Sequence, residues 1–151
     1  MNTGNTQTRN VLLVLLAFLG LGAIGGGAVL IISPYGEMLG LPLVILAHSP
    51  FRSFLVPGII LFCILGLVPI GLIFALLKKF QWNLGEQTNF FNDMHWSWTY
   101  SIYVAFALII WMQVEMVFLQ AVHWLHTLYM GLAIAIIFVA LLPQVRSLYR
   151  K

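Results

Sequence analysis

Four long apolar runs alternate with polar stretches along the chain: Val11 to Ile32, Phe54 to Leu77, Trp98 to Ala121 and Leu125 to Val145. A helix needs roughly 20 mainly apolar residues to cross a bilayer core, and each run qualifies. Pro57 falls in the first turn of the second run, where its missing N–H costs nothing. Pro69 lies in the interior of the same run and predicts a kink. Pro143 comes near the end of the fourth. The links between runs are about 20 residues, about 20 residues and one tight turn, lengths that suit packed neighbouring helices. The pattern predicts an all-α membrane protein, a four-helix transmembrane bundle in a single domain over 1–151, with no soluble domain left over.

The first link, SPYGEMLGLPLVILAHSPFRSFLVPG, is rich in Pro and Gly, yet its middle, Leu41 to Ala47, is apolar and too short to span. Irregular backbone near lipid depth is tolerated when buried in protein or facing water. The link is therefore expected to pack as a lid on its end of the helices. The second link alternates Trp82, Trp96 and Trp98 with polar groups and reads as an interfacial segment, with His95 as an interface polar residue.

Composition agrees with this reading. Hydrophobic residues make up 62% of the chain and charged ones 7%, and the mean hydropathy is +1.00. A soluble domain carries roughly 25% charged residues, so lipid must be the main solvent. No basic patch interleaved with aromatics points to nucleic acid. Cys63 stands alone in an apolar run and reads as a small buried hydrophobe. The first run is longer than the hydrophobic region of a cleaved signal, so a retained helix is expected.

The +3 net charge is better read by position. With four spans, Arg9, Lys78, Lys79, Arg146, Arg150 and Lys151 share one side, and only Arg52 lies on the other. The positive-inside rule then places both termini in the cytoplasm and the Pro/Gly-rich link outside.

Against this background one residue stands out. WMQVEMVF carries Glu115 inside the third run, about 9 Å from the outer end of that helix. A carboxylate at the bilayer centre costs about 2.5–3.5 kcal/mol on insertion scales and less near the rim. It must be protonated, paired or facing water. Trp111 lies four residues before it and Phe118 three after, on the same face. His123 and His126 in the tight turn, and His48, Arg52 and Glu37 in the lid, converge on that end if the lid packs. The expected site is an outward-facing pocket, apolar below and polar at its mouth. Glu115 is also readable as a structural hydrogen-bond group, or as a contact with a partner. His123 and His126 could share a metal, but a third ligand is lacking, and bis-histidine haem needs ligands on facing helices whereas all four His lie in or beside loops, so neither metal nor cofactor is expected. No serine sits in a nucleophile motif.

Span one holds Gly22 and Gly26 as a GxxxG, and Ala23 with Gly27 as a second small pair. Small residues let helix backbones approach closely, within the chain or against another subunit.

The stretch Gly25 to Phe62, with GGG near the end of the first helix, then P-x-G-x-x-LGLP, S-P-F and P-G opening the second, resembles an uncharacterised family of short bacterial four-helix membrane proteins. Ile109 to Glu115 looks similar to a later part of that pattern. The resemblance implies a bacterial plasma (inner) membrane protein and implies no activity. The likeness to DoxX-like proteins is topological only.

Two functions are expected. The first is a non-catalytic subunit or scaffold that associates with a membrane partner or with itself, since no reaction motif is present. The alternative is a small membrane enzyme or carrier that binds a lipid or quinone-like molecule around Glu115.

Overall fold

The computed structural model describes residues 3–151, and within them every regular element is helical. Helix α1 spans Thr3–Ile32 and α2 spans Leu55–Lys78; α3 is a short turn over Asn83–Gln87. Helix α4 spans Trp96–Leu119, α5 Trp124–Leu141 and α6 Pro143–Tyr149. Helices α1, α2, α4 and α5 are each long and apolar enough to cross a membrane. The helical start runs further back than the apolar run, because Thr3 to Asn10 continue α1 in polar residues. The fourth span stops at Leu141 rather than Val145. Leu142 is extended ahead of Pro143, as a residue before proline prefers, and Pro143 starts α6 in its first turn.

Helix α2 is not regular. Leu61–Leu67 is a π-helix, closed by the Val68 N–H donating five residues back to the Cys63 carbonyl. Pro69 follows directly. Its ring has no N–H and would collide with the carbonyl four residues earlier. The wider π turn relieves that collision.

The glycines fix how α1 meets α2. A Cβ on Gly27 would stand 2.8 Å from the Gly58 carbonyl oxygen and 2.7 Å from the Phe62 nitrogen. One on Gly20 would stand 3.1 Å from the Gly66 carbonyl oxygen. The two backbones touch along most of their length. Gly22 serves a different neighbour, the Tyr129 hydroxyl of α5, and Gly26 meets only Leu61, at 3.4 Å.

Around the bundle α1 packs on α2 and α5, and α4 packs on α5 and on the lower part of α2. Near Leu55–Ile60, α4 and α2 hardly meet. The link over residues 33–54 fills that gap with two 3-10 turns, Glu37–Leu39 and Leu43–Leu46. Its base is closed by the Phe54 N–H donating to the Pro34 carbonyl at 2.8 Å. Gly36, at φ 81°, takes a left-handed turn that a side chain would strain.

The opposite end folds into a clasp, which corrects the expectation for Trp96 and Trp98, while Trp82 stays exposed. Trp96 and Trp98 are buried, and their indole N–H groups donate to the carbonyls of Phe80 (3.0 Å) and Ala140 (2.8 Å). The tail folds back over them. Tyr149 is buried and its hydroxyl donates to the Leu76 carbonyl at 2.9 Å. The His95 N–H donates to the Tyr149 carbonyl at 2.7 Å, Lys79 reaches the Leu148 carbonyl, and Lys151 pairs with Glu86. Burial pushes the Tyr149 phenol up to about 12, so it stays a donor at any physiological pH. Cys63 is exposed on the helix surface instead of buried. With apolar solvent outside, a small thiol gains nothing by facing inward.

His95 caps α4, its Nδ1 accepting from the Ser97 N–H at 3.3 Å. Burial holds its pKa below the usual 6.5. Burial alone would raise Glu86, but hydrogen bonds from Lys151, Asn89 and Trp96 outweigh it and hold the carboxyl below 4.5.

Two predictions follow from this geometry. Gly27→Leu should destabilise the detergent-solubilised protein by about 3 kcal/mol in thermal unfolding, as overpacking against backbone does. Gly25→Leu, which meets open space, should be neutral or stabilising by up to about 1 kcal/mol. Both clasp groups have native pKa values below their unfolded ones. Their contributions are therefore complete above 6.5 for His95 and 4.5 for Glu86, and are lost as pH falls below those values. The melting temperature should decline in two stages on acidification. His95→Asn, which keeps a capping acceptor, should shrink the upper stage and leave the lower one unchanged.

Candidate functional site

A cavity of about 530 Å³ opens where the lid spans the gap between α1, α2, α4 and α5. Small-molecule sites typically measure about 300–1,000 Å³ and are mostly apolar with a few placed polar groups. Helix α4 supplies Leu108, Trp111, Met112, Glu115 and Phe118. Their spacing of three and four puts them on one inward face. Glu115 therefore points into the bundle by helix register, and its side chain is 33% exposed, into the cavity.

Helix α5 brings His123, His126 and Tyr129 to the same space. The His123 N–H, at the head of α5, donates to His126 Nδ1 at 3.0 Å. With Nδ1 engaged as an acceptor, the ring carries its proton on Nε2. That nitrogen faces Glu115 Oε2 at 3.8 Å, longer than a direct hydrogen bond. The Trp111 indole N–H is buried without a partner one turn before Glu115. Tyr129 slides its hydroxyl against the backbone of α1 because Gly22 has no side chain there.

The lid meets the cavity with apolar groups, among them Leu41, Ile45, Leu46, Phe51 and Phe54. The rings of Phe51 and Phe118 pack edge to face with centroids 6.0 Å apart, which ties the lid to α4. This corrects the expected polar mouth. Glu37, His48 and Arg52 are exposed, and none of them lines the cavity. Arg52 sits between Phe51 and Phe54, and those two rings turn inward while the guanidinium turns out.

Of the residues singled out in the sequence, Trp111, Glu115, His123 and His126 are therefore brought together, along with Gly22 and Gly26 on the α1 wall. Gly27 belongs to the α1–α2 contact. Tyr129 and the lid rings were missed. Tyr129 lies three residues after His126, so helix spacing was the available signal. Among the described residues no cluster of three or more His, Cys, Asp or Glu side chains could hold a metal ion. The described lining includes no Ser, Cys, Lys or Arg.

No family model, curated protein or solved structure matches the chain.

Chemically, the cavity can seat an apolar body and offer one carboxyl and one imidazole N–H to its polar end. Because the bundle is held by other contacts, Glu115→Gln should keep the fold. Its unfolding free energy should stay within about 1 kcal/mol of the parent, with identical helical circular dichroism, since a neutral amide keeps the shape of the side chain and places no charge in the apolar interior.

Proposed function

We propose that this chain is a multi-pass protein of the bacterial plasma membrane, with both termini in the cytoplasm, that binds one small amphipathic molecule of lipid or quinone-like size in the cavity around Glu115. The observation that carries this reading is the 530 Å³ cavity, apolar on nearly every wall, with Glu115 and His126 as its paired polar feature. Six basic residues near the termini and the clasp, against Arg52 alone at the lid end, support the orientation. The resemblance of Gly25 to Phe62 to short bacterial membrane proteins supports the compartment. The lid would then face outward, and the ligand would enter from the outer leaflet. Binding, not bond chemistry, is what the lining favours: its groups can hold and orient a guest.

A second reading keeps some support. A non-catalytic subunit or scaffold, associating with a partner or with itself, would use the shallow groove between α1 and α5 lined by Leu15, Phe18, Trp124, Leu128 and Gly131.

Native mass spectrometry of the protein released gently from its own membranes separates the two. The binding reading expects a monomer or homo-oligomer with one retained small mass. Gly26→Leu, which projects into the cavity past a single 3.4 Å contact with Leu61, should lose that mass without loss of thermal stability, and Gly25→Leu should keep it. A second polypeptide with no small mass would favour the subunit and sink the pocket.

A further inference from the structure

The proposal rests on the binding reading above and narrows its ligand. We propose that the cavity takes a lipophilic cation, an amine or quaternary ammonium on an apolar body, and that the cation enters in exchange for the proton of Glu115.

The argument begins with charge. A carboxylate facing an apolar membrane cavity is costly unless something compensates it. The groups that could do so can be named element by element. From α5, His126, His123 and Tyr129 face the cavity. From α1, α2 and the lid, the described lining residues carry no titratable side chain, since Glu37, His48 and Arg52 lie outside it. His126 is nearest to Glu115, yet its Nδ1 accepts the His123 N–H at the head of α5. A doubly protonated ring would set N–H against N–H and give up that cap. His126 therefore serves as a neutral donor from Nε2 and not as a counter-cation. The His123 ring is exposed and makes no ion pair with Glu115, and Tyr129 can add no positive charge. The charge of Glu115 is thus met by a proton or by a cation that arrives from outside.

The walls suit the second arrival. Phe51, Phe54, Trp111, Phe118 and Tyr129 surround the cavity. Aromatic faces attract quaternary ammonium groups, more strongly when water is excluded. An anionic head would find no lysine or arginine in the described lining. The exchange balances simply: the protonated carboxyl releases its proton, the carboxylate stays, and the bound cation replaces the lost positive charge. No bond to carbon forms or breaks.

The test uses the full chain in nanodiscs of zwitterionic lipid, with decyltrimethylammonium as the probe and 1-decanol as its neutral counterpart. Calorimetry is run across pH and in buffers of different ionisation enthalpy, with empty discs subtracted. The cation should bind at least tenfold more tightly than the alcohol. Its affinity should rise with pH by up to tenfold per unit, with close to one proton released per cation. Glu115→Gln should lose the cation preference and the pH dependence while still admitting decanol, and Glu115→Asp should keep both. Equal binding of the two probes, or cation binding without proton release, overturns the exchange and leaves the pocket standing. Failure of both probes on the parent protein, with Gly26→Leu indistinguishable from it, overturns the pocket as well.

Discussion

The contact of α1 on α2 is the constraint from which the rest of the bundle follows. Gly27 faces Gly58, and Gly20 faces Gly66, so the two backbones approach closely at these points, with Ile24, Leu30 and Ile70 packed over the glycines. Helices so close act as one thick element. That element draws the lid-end part of α2 toward α1 and away from α4. The π turn before Pro69 lets α2 follow this course without breaking. The space left between α2 and α4 is the cavity, and the lid exists because that space must be covered. A membrane helix pair gains little from hydrophobicity as such, since lipid is equally apolar. Close packing is the interaction available to it.

The same logic explains the different characters of the two ends. Where α4 packs on the lower part of α2, the end is closed by side chains from every element, and the tail ties them with hydrogen bonds. Where α4 and α2 part, closure falls to a loop with short 3-10 turns and an aromatic pair. Tyr149 and Trp98 are fully packed, whereas Glu115 keeps a third of its side chain open to the cavity. The rigid end holds the helices in register, and the loosely filled end has room for a guest.

Much of the fold was legible. Runs of about 20 apolar residues have few other uses, so the four spans could be read directly. That Glu115 shares a face with Trp111 and Phe118 was also readable, from helical spacing. The rest depended on neighbours. Nothing local tells which side of the lid turns inward, and lone polar groups such as His48 and Arg52 drew attention that belonged to Phe51 and Phe54. The clasp joins Tyr149 to Leu76 and Lys151 to Glu86, pairs far apart in the chain that no short-range pattern links. Gly22, Gly26 and Gly27 read alike as small residues. Only the surrounding helices assign one to a tyrosine, one to an empty space and one to a backbone.

That empty space beside Gly26 bears on how such a protein is inherited. The cavity is kept open by an absent side chain at a position where almost any other residue would make a better helix. A single codon change could fill it, and the bundle would fold as well as before. Drift alone therefore closes pockets of this kind, generation by generation, while leaving the scaffold intact. A lineage in which Gly26 stays glycine is what the proposed occupant of the cavity would require.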